Sequence, residues 1–484
     1  MRSVSRAWFW ALVLVPLALP LACSDPLNNP DGGTIDATLP LDGPPPGDGG
    51  VIPGSKEVLL LKGTVVTPDT VIAQGEVLIE NDTILCVAAS CAADPRAKGA
   101  TVVDTAGIIA PGLIDAHNHT QYNYLPPWKH TKLYSNHNQW QAASDYKDFT
   151  TIHRQIEGTV MCEMVKYGEI RSLVAGTTTI QGTPLRKCAD TLIRNADLPY
   201  HGFAEGDTMR TNVLGVSQID AATAQTLLTD FASGKTRSYV IHLSEGIDET
   251  ARKEFDVLES FGLLQPQVVV IHGTALTQTE LTKMKSAGMP LIWSPSSNLD
   301  LYGATNDIAV AQNLGLLLAL APDWTPSGDP NVLDELRTAW DLNQNKLGQL
   351  WQARDLVQMV TSRAAEALRF DKEIGSLKVG MRADVVVLAG DRSKPYDAMV
   401  AARLPSVRLV LARGKALYGE PGWMTHLSPN AYCESVTICG VARSLCIKEN
   451  ESTDNKLNQT LGDIETILQQ NYTPGIMPLS TNCQ

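Results

Sequence analysis

Residues 111–120 read PGLIDAHNHT. Residues 112–117 make one short strand, opened by Pro-Gly and followed by polar residues. Side chains alternate faces along a strand, so His117 and His119 project the same way from its carboxyl end. Two neutral imidazoles so placed can hold one divalent cation, and imidazole suits zinc or iron.

Upstream of this segment the text is strand-like: EVLLLKGTVVTP (57–68), GEVLIENDTILCVA (75–88) and TVVDTAGIIAP (101–111) are apolar, β-branched runs broken by turn residues. The same texture returns far downstream, in IGSLKVGMRADVVVLAG (374–390) and VRLVLARGKALYG (407–419). Between them the rhythm changes. Helical stretches such as 158–175 and 353–369 alternate with short apolar strands near 177–181, 199–204, 238–243, 267–272, 290–294 and 315–320. Alternation of this kind points to βα units around a parallel sheet, and a closed eightfold barrel typically takes about 250 residues. With the strand at 112–117 this makes one strand short of a full barrel; the missing one is expected between Glu205 and Arg237. The expected fold is α/β: a (β/α)8 TIM-like barrel over 111–373. Beside it stands a small composite β-sandwich from 56–110 and 374–420. A Cys-rich extension, 421–484, is expected to pack on the body as a stapled cap, with Leu457, Leu461, Ile464 and Leu468 at helical spacing.

The ends of the chain speak of location. MRSVSRAWFWALVLVPLALPLAC (1–23) has a basic head and a Pro-broken apolar stretch too short to span a membrane, which is signal-peptide architecture. Its end, Pro20-Leu21-Ala22-Cys23, resembles a bacterial lipoprotein lipobox, with residues 1–22 removed and Cys23 lipidated. Residues 23–55 are rich in Pro, Gly and Asp, without aromatic residues, Lys or Arg, and read as a flexible tether. The expectation is an exported protein, lipid-anchored to a bacterial membrane on its periplasmic or cell-surface side. Of nine cysteines, eight remain beyond Cys23. An even number in an exported chain favours disulfides, with Cys86–Cys91 a plausible short loop and the other pairings open. No CxxC zinc pattern occurs. The net charge of −13, from 52 acidic and 39 basic residues, offers no basic stripe for nucleic acid. The expected partner is a small-molecule substrate, with the membrane reached only through the lipid.

PGLIDAHNHT closely resembles the metal-binding first strand of the amidohydrolase superfamily, and IGSLKVGMRADVVVL resembles the returning segment of that family's small β domain. The resemblance runs from about Glu57 to Gly419 and is nearest to the deaminase and imidazolone-hydrolase branch. It implies metal ligands His117, His119, His242 (in VIHLSEG) and Asp323 (in LLLALAPDWTPSG), one divalent ion with zinc ahead of iron, and Glu245 as a proton shuttle. It implies that His272 (in VVVIHGTALT) orients water or substrate, and that Asp323 touches both metal and water and acts as base. The family usually carries Gly-Thr before this Asp; here Ala321-Pro322 stands there. LIWSPSSNLDLYG (291–303) resembles a pocket-lining segment, giving Trp293, Ser296, Asn298 and Tyr302 as candidate substrate contacts. Trp324 and Ser327 are candidates by position.

All these groups fall at carboxyl ends of predicted strands, the face on which barrel enzymes build their sites. A divalent ion there makes water nucleophilic at neutral pH, and a carboxylate pair can move its protons. The expected activity is metal-dependent hydrolysis of a carbon–nitrogen bond, other than a peptide bond, in a small molecule. One alternative is a binuclear, dipeptidase-like enzyme with Glu205 bridging; another is a non-catalytic surface lipoprotein. His130, His137, His153, His201 and His426 belong to no motif and are expected in loops or on the surface, with substrate contact open to His130 and His137.

Overall fold

The computed structural model describes residues 50–67, 69–183, 192–197, 209–212, 215–428, 430–448 and 458–483. The expected signal peptide, Cys23 and most of the tether lie outside the described residues, as do Cys188, the strand at 199–204, His201, Glu205 and Leu457.

Two runs of parallel strands follow chain order. Leu113–Asp115, Thr177–Ile180 and Arg194–Asn195 form a three-stranded sheet; Met209–Asn212, Ser238–Leu243, Val268–His272, Leu291–Trp293 and Leu318–Leu320 form a five-stranded one. A parallel bridge between Asn118 and Asp323 sets the ends of the first and last strands side by side. This is the (β/α)8 layout, and Met209–Asn212 is the strand expected between Glu205 and Arg237. Strands such as SYVIHL and VVVIH are buried along their whole length because both faces are covered. Val240, Ile271, Ile292 and Ala319 fill the interior. Their strand neighbours Ile241, Val270, Leu291 and Leu318 pack outward on the helices.

The helices start where the sequence provides acceptors for their free N–H groups. Asp220, Asp248, Thr277, Asp307 and Asn331 each cap one.

The composite β domain is one ten-stranded sheet. Ala100–Pro111, just before the barrel, pairs antiparallel with Val385–Leu388, just after it, so the two halves are sewn edge to edge. Two features extend this sheet beyond its expected limits. Val51–Ile52 pairs with Ala100–Pro111, which ends the tether earlier than residue 55. At the other end, the hairpin Cys433–Ile438 and Val441–Cys446 joins through Lys415–Gly419, so part of the C-terminal extension is sheet rather than a separate cap. The helix Leu461–Asn471 does pack on the body, burying Leu461, Ile464 and Leu468. Disulfides Cys86–Cys91, Cys433–Cys446 and Cys439–Cys483 are formed, and Cys162 is disulfide-bonded as well. No helix among the described residues is long and apolar enough to cross a membrane.

Candidate active site

His117 and His119 sit on the turn just past the strand Leu113–Asp115, and Asp323 follows Leu318–Leu320 beside them. His242 lies within its strand, with Val240 on the same inward face, so plain alternation aims it at the centre. His272 is different. Val269 and Ile271 face inward, so alternation would send the next residue out. A left-handed backbone at His272 (φ 64°) turns it back, and Asp323 has the same conformation (φ 70°). Non-glycine residues held there are strained, and such strain gathers at functional sites.

The four rings cluster tightly. Centroid separations are 5.0 Å for His117–His119, 4.7 Å for His117–His242, 5.3 Å for His119–His242 and 5.3 Å for His242–His272. Ligand atoms of His117, His242 and His272 lie within 4.8 Å of one another, as do those of His117, His119 and Asp323. Three rings are anchored through Nδ1. His117 meets Gln181 Oε1 at 3.3 Å, His242 meets the Asn212 carbonyl at 3.2 Å, and His272 meets Asn298 Oδ1 at 3.1 Å. All three partners are acceptors, so Nδ1 carries the proton and Nε2 presents a lone pair. The Gln181 amide is itself held the right way round by Asp197 Oδ1 at 3.1 Å and Thr211 Oγ1 at 2.9 Å.

Two of the rings, His117 and His242, are held neutral. Burial lowers the pKa of His117 to about 4, and burial together with His117, His119 and His272 pushes that of His242 well down. Asp323 Oδ1 stands 3.2 Å from His117 Nε2 and 3.4 Å from His119 Nε2. His117 Nε2 and Asp323 Oδ1 have no hydrogen-bond partner among the described residues. Buried lone pairs that face one another repel; a cation between them removes the repulsion and satisfies each. The residues therefore fit a divalent metal ion.

Glu245 comes next to the ion's place. Its Oε2 is 3.9 Å from His272 Nε2, and its Oε1 accepts a hydrogen bond of 2.6 Å from Tyr302. The other candidates scatter. Trp293 points away from the centre, because Ile292 faces inward; its indole packs at 5.6 Å from Trp351 and donates to Thr305 at 2.7 Å. It is no substrate contact. Ser296 is bound to Glu335 and receives the Asp329 amide, so its hydroxyl is occupied away from the rings. Asn298 orients His272. Its neighbour Ser297, absent from the sequence-based candidates, donates to Asp323 Oδ2 at 2.7 Å, and Ser327 touches Ser297 at 2.9 Å. Trp324 lies 5.5 Å from His119 in an aromatic cluster with Trp128, Tyr134, Trp140 and Tyr302.

Two histidines expected in loops or on the surface are buried. His137 bonds Glu254 at 2.5 Å. His153 stacks on Tyr122 at 4.0 Å and meets the Tyr124 hydroxyl at 3.1 Å. His130 pairs with Asp300 at 2.9 Å. Gln181, Asp197 and Ser297 were missed because their roles depend on partners far apart in the chain; the one available signal was that Gln181 ends a strand.

The amidohydrolase family model matches residues 216–417. A 5-methylthioadenosine/S-adenosylhomocysteine deaminase of Moorella thermoacetica is 24% identical over 407 residues, covering 74% of this chain and 94% of its own. The enzyme of the same description from Halobacterium salinarum is 24% identical over 377 residues, 68% of this chain and 83% of its own. Among solved structures, a zinc-bound adenosine deaminase from Xanthomonas campestris superposes with a TM-score of 0.57 at 20% identity, covering 74% of this chain and 92% of its own. An atrazine chlorohydrolase from Arthrobacter aurescens complexed with zinc gives 0.60 at 18% identity, with 75% and 96% covered. Fold, donor set and relatives agree on a metal-dependent hydrolase. The chain is similar to the amidohydrolase family over residues 216–417 and is a hydrolase of carbon–nitrogen bonds in small molecules, with a divalent metal ion as cofactor.

Proposed function

We propose that the chain is a mononuclear zinc deaminase acting on an amino-substituted aromatic heterocycle. The observation that carries the reading is the pairing of the His/Asp donor cluster with Glu245 beside it. The deaminase relatives support it from outside the site. His117, His119, His242 and Asp323 would hold the ion. When bound, a divalent ion lowers the pKa of water toward about 7 and polarises the carbon under attack.

The chain's own residues then divide the proton work. Asp323 Oδ1 faces the centre and takes a proton from the attacking water. Glu245 passes a proton to the nitrogen side of the substrate, as general acid–base catalysis requires. His272, fixed by Asn298, orients water or substrate at the same centre. Water adds to the amidine carbon, the carbon–nitrogen bond breaks, ammonia leaves with the delivered proton, and a carbonyl remains.

Ammonia release from 5′-methylthioadenosine, S-adenosylhomocysteine, adenosine and a panel of cyclic amidines and lactams, with and without chelator, tests this. Glu245→Gln is expected to cut turnover by about 10²–10⁴-fold while zinc stays bound. Turnover that survives both chelation and Asp323→Asn would overturn the reading. Metal analysis tests the count: one ion per chain is expected, whereas two, lost together on Glu205→Gln, would favour the binuclear arrangement. Export with a lipid at Cys23 belongs to the same proposal, supported by the leader and the disulfides. Lipid labelling that persists in Cys23→Ser would contradict it.

A further inference from the structure

Two carboxylates act at this site, and each has one oxygen tied down and one turned to the centre. The tie on Asp323 is a chain of three hydrogen bonds. Trp324 Nε1 donates to Ser327 Oγ at 2.6 Å, Ser327 meets Ser297 at 2.9 Å, and Ser297 donates to Asp323 Oδ2 at 2.7 Å. Both ends of the chain have fixed polarity: an indole N–H only donates and an ionised carboxylate only accepts. Ser297 spends its single proton on Asp323, so Ser327 must donate to Ser297 and accept from Trp324. Reversal would leave the Ser327 proton without an acceptor among the described residues. Every link is buried; Trp324 is 5% exposed and Ser327 8%. Water therefore does not compete for these groups, and a buried chain with one allowed direction is strongly ordering.

We infer that Trp324 is a positioning residue for the metal: its indole N–H fixes the direction of the Ser327–Ser297 chain, reserving Asp323 Oδ2 as an acceptor and leaving Oδ1 to face the ion. This rests on the metal-site reading and goes beyond it, because it turns a candidate substrate contact into part of the ligand's support. It also bars the chain as a proton exit, since the far end cannot accept a proton. A proton taken up by Asp323 has to return through Oδ1 toward the reacting molecule.

The same construction recurs at Glu245. Trp140 Nε1 donates to the Tyr302 hydroxyl at 2.8 Å, and Tyr302 donates to Glu245 Oε1 at 2.6 Å. Trp140 and Trp324 belong to one aromatic cluster, with centroids 5.9 Å apart. Trp140→Phe thus disturbs the cluster as Trp324→Phe does, yet leaves the Asp323 chain whole.

Zinc affinity of the full chain, read by competition with a chromophoric chelator, separates these roles without any substrate. Trp324→Phe keeps an aromatic side chain, though a smaller one, and removes the N–H; Ser327→Ala breaks the chain one link further in, and serves if Trp324→Phe fails to fold. Both are expected to weaken zinc binding by about tenfold, the low end for groups that support a ligand, while Trp140→Phe stays within about twofold of wild type. The visible absorption band of the cobalt-loaded protein is expected to change in the first two variants and to hold in the third. Wild-type affinity with an unchanged cobalt band in both chain variants would overturn the inference, as would equal weakening by Trp140→Phe. A wild-type chain that bound no zinc would overturn the metal reading itself; His117→Ala as a non-binding control tells the two failures apart.

Discussion

At the scale of single residues, the sequence disclosed ligand types better than their supports. His117, His119, His242, His272, Asp323 and Glu245 stand in motifs with a chemical signature, and the structure brings them together. Gln181 and Ser297 carry no such signature; only tertiary contact gives them a role. His153 shows the same limit, since burial decides its behaviour. Its pKa is lowered to about 4, by burial first and Arg154 second. The unfolded ring titrates near about 6.5, so as pH falls the unfolded chain binds this proton before the folded one does. Stability is therefore drained between about pH 6.5 and 4, by up to about 3 kcal/mol. Urea unfolding across this range is expected to show a shallower acid loss in His153→Gln than in wild type. Equal slopes would contradict the assignment.

Among the elements, strand periodicity located the barrel strands but not the way their ends turn. His117 and His119 were expected on one strand face; the strand stops at Asp115, and a turn carries both rings. Trp293 was misread for the complementary reason, as its strand holds strict alternation and aims it outward. The turn with the two histidines depends on Gly182. A Cβ there would lie 1.6 Å from the Asn118 carbonyl oxygen, and its φ is 98°. Gly182→Ala must push the backbone between His117 and His119 or distort its own loop, with strain of about 1–3 kcal/mol. We expect a lower melting temperature together with loss of zinc. Full zinc content in a stable Gly182→Ala protein would show that the close approach does not support the ligands.

For the molecule as a whole, the order of parts was legible because β texture brackets an αβ middle. The register of the outer sheet was not, since nothing local tells a C-terminal hairpin which edge to join. Nor did the sequence mark what ties barrel to sheet. Arg194, fully buried on a barrel strand, bonds Asp384 at 2.6 Å from the second part of the β domain and Asp82 from the first. Removing one partner of a buried ion pair is worth about 3–5 kcal/mol. Arg194→Met is expected to destabilise by that amount in urea unfolding with wild-type zinc affinity per folded molecule. A change below about 1 kcal/mol, the surface-pair range, would contradict this tie.

The central claim is that separate rim positions converge on one ion. Elemental analysis of purified wild type, His117→Ala and Asp323→Asn measures it most directly. The account predicts one divalent ion per wild-type chain and a near-complete loss in both variants, with folding retained. A wild type free of metal, or variants that keep it, would contradict the account.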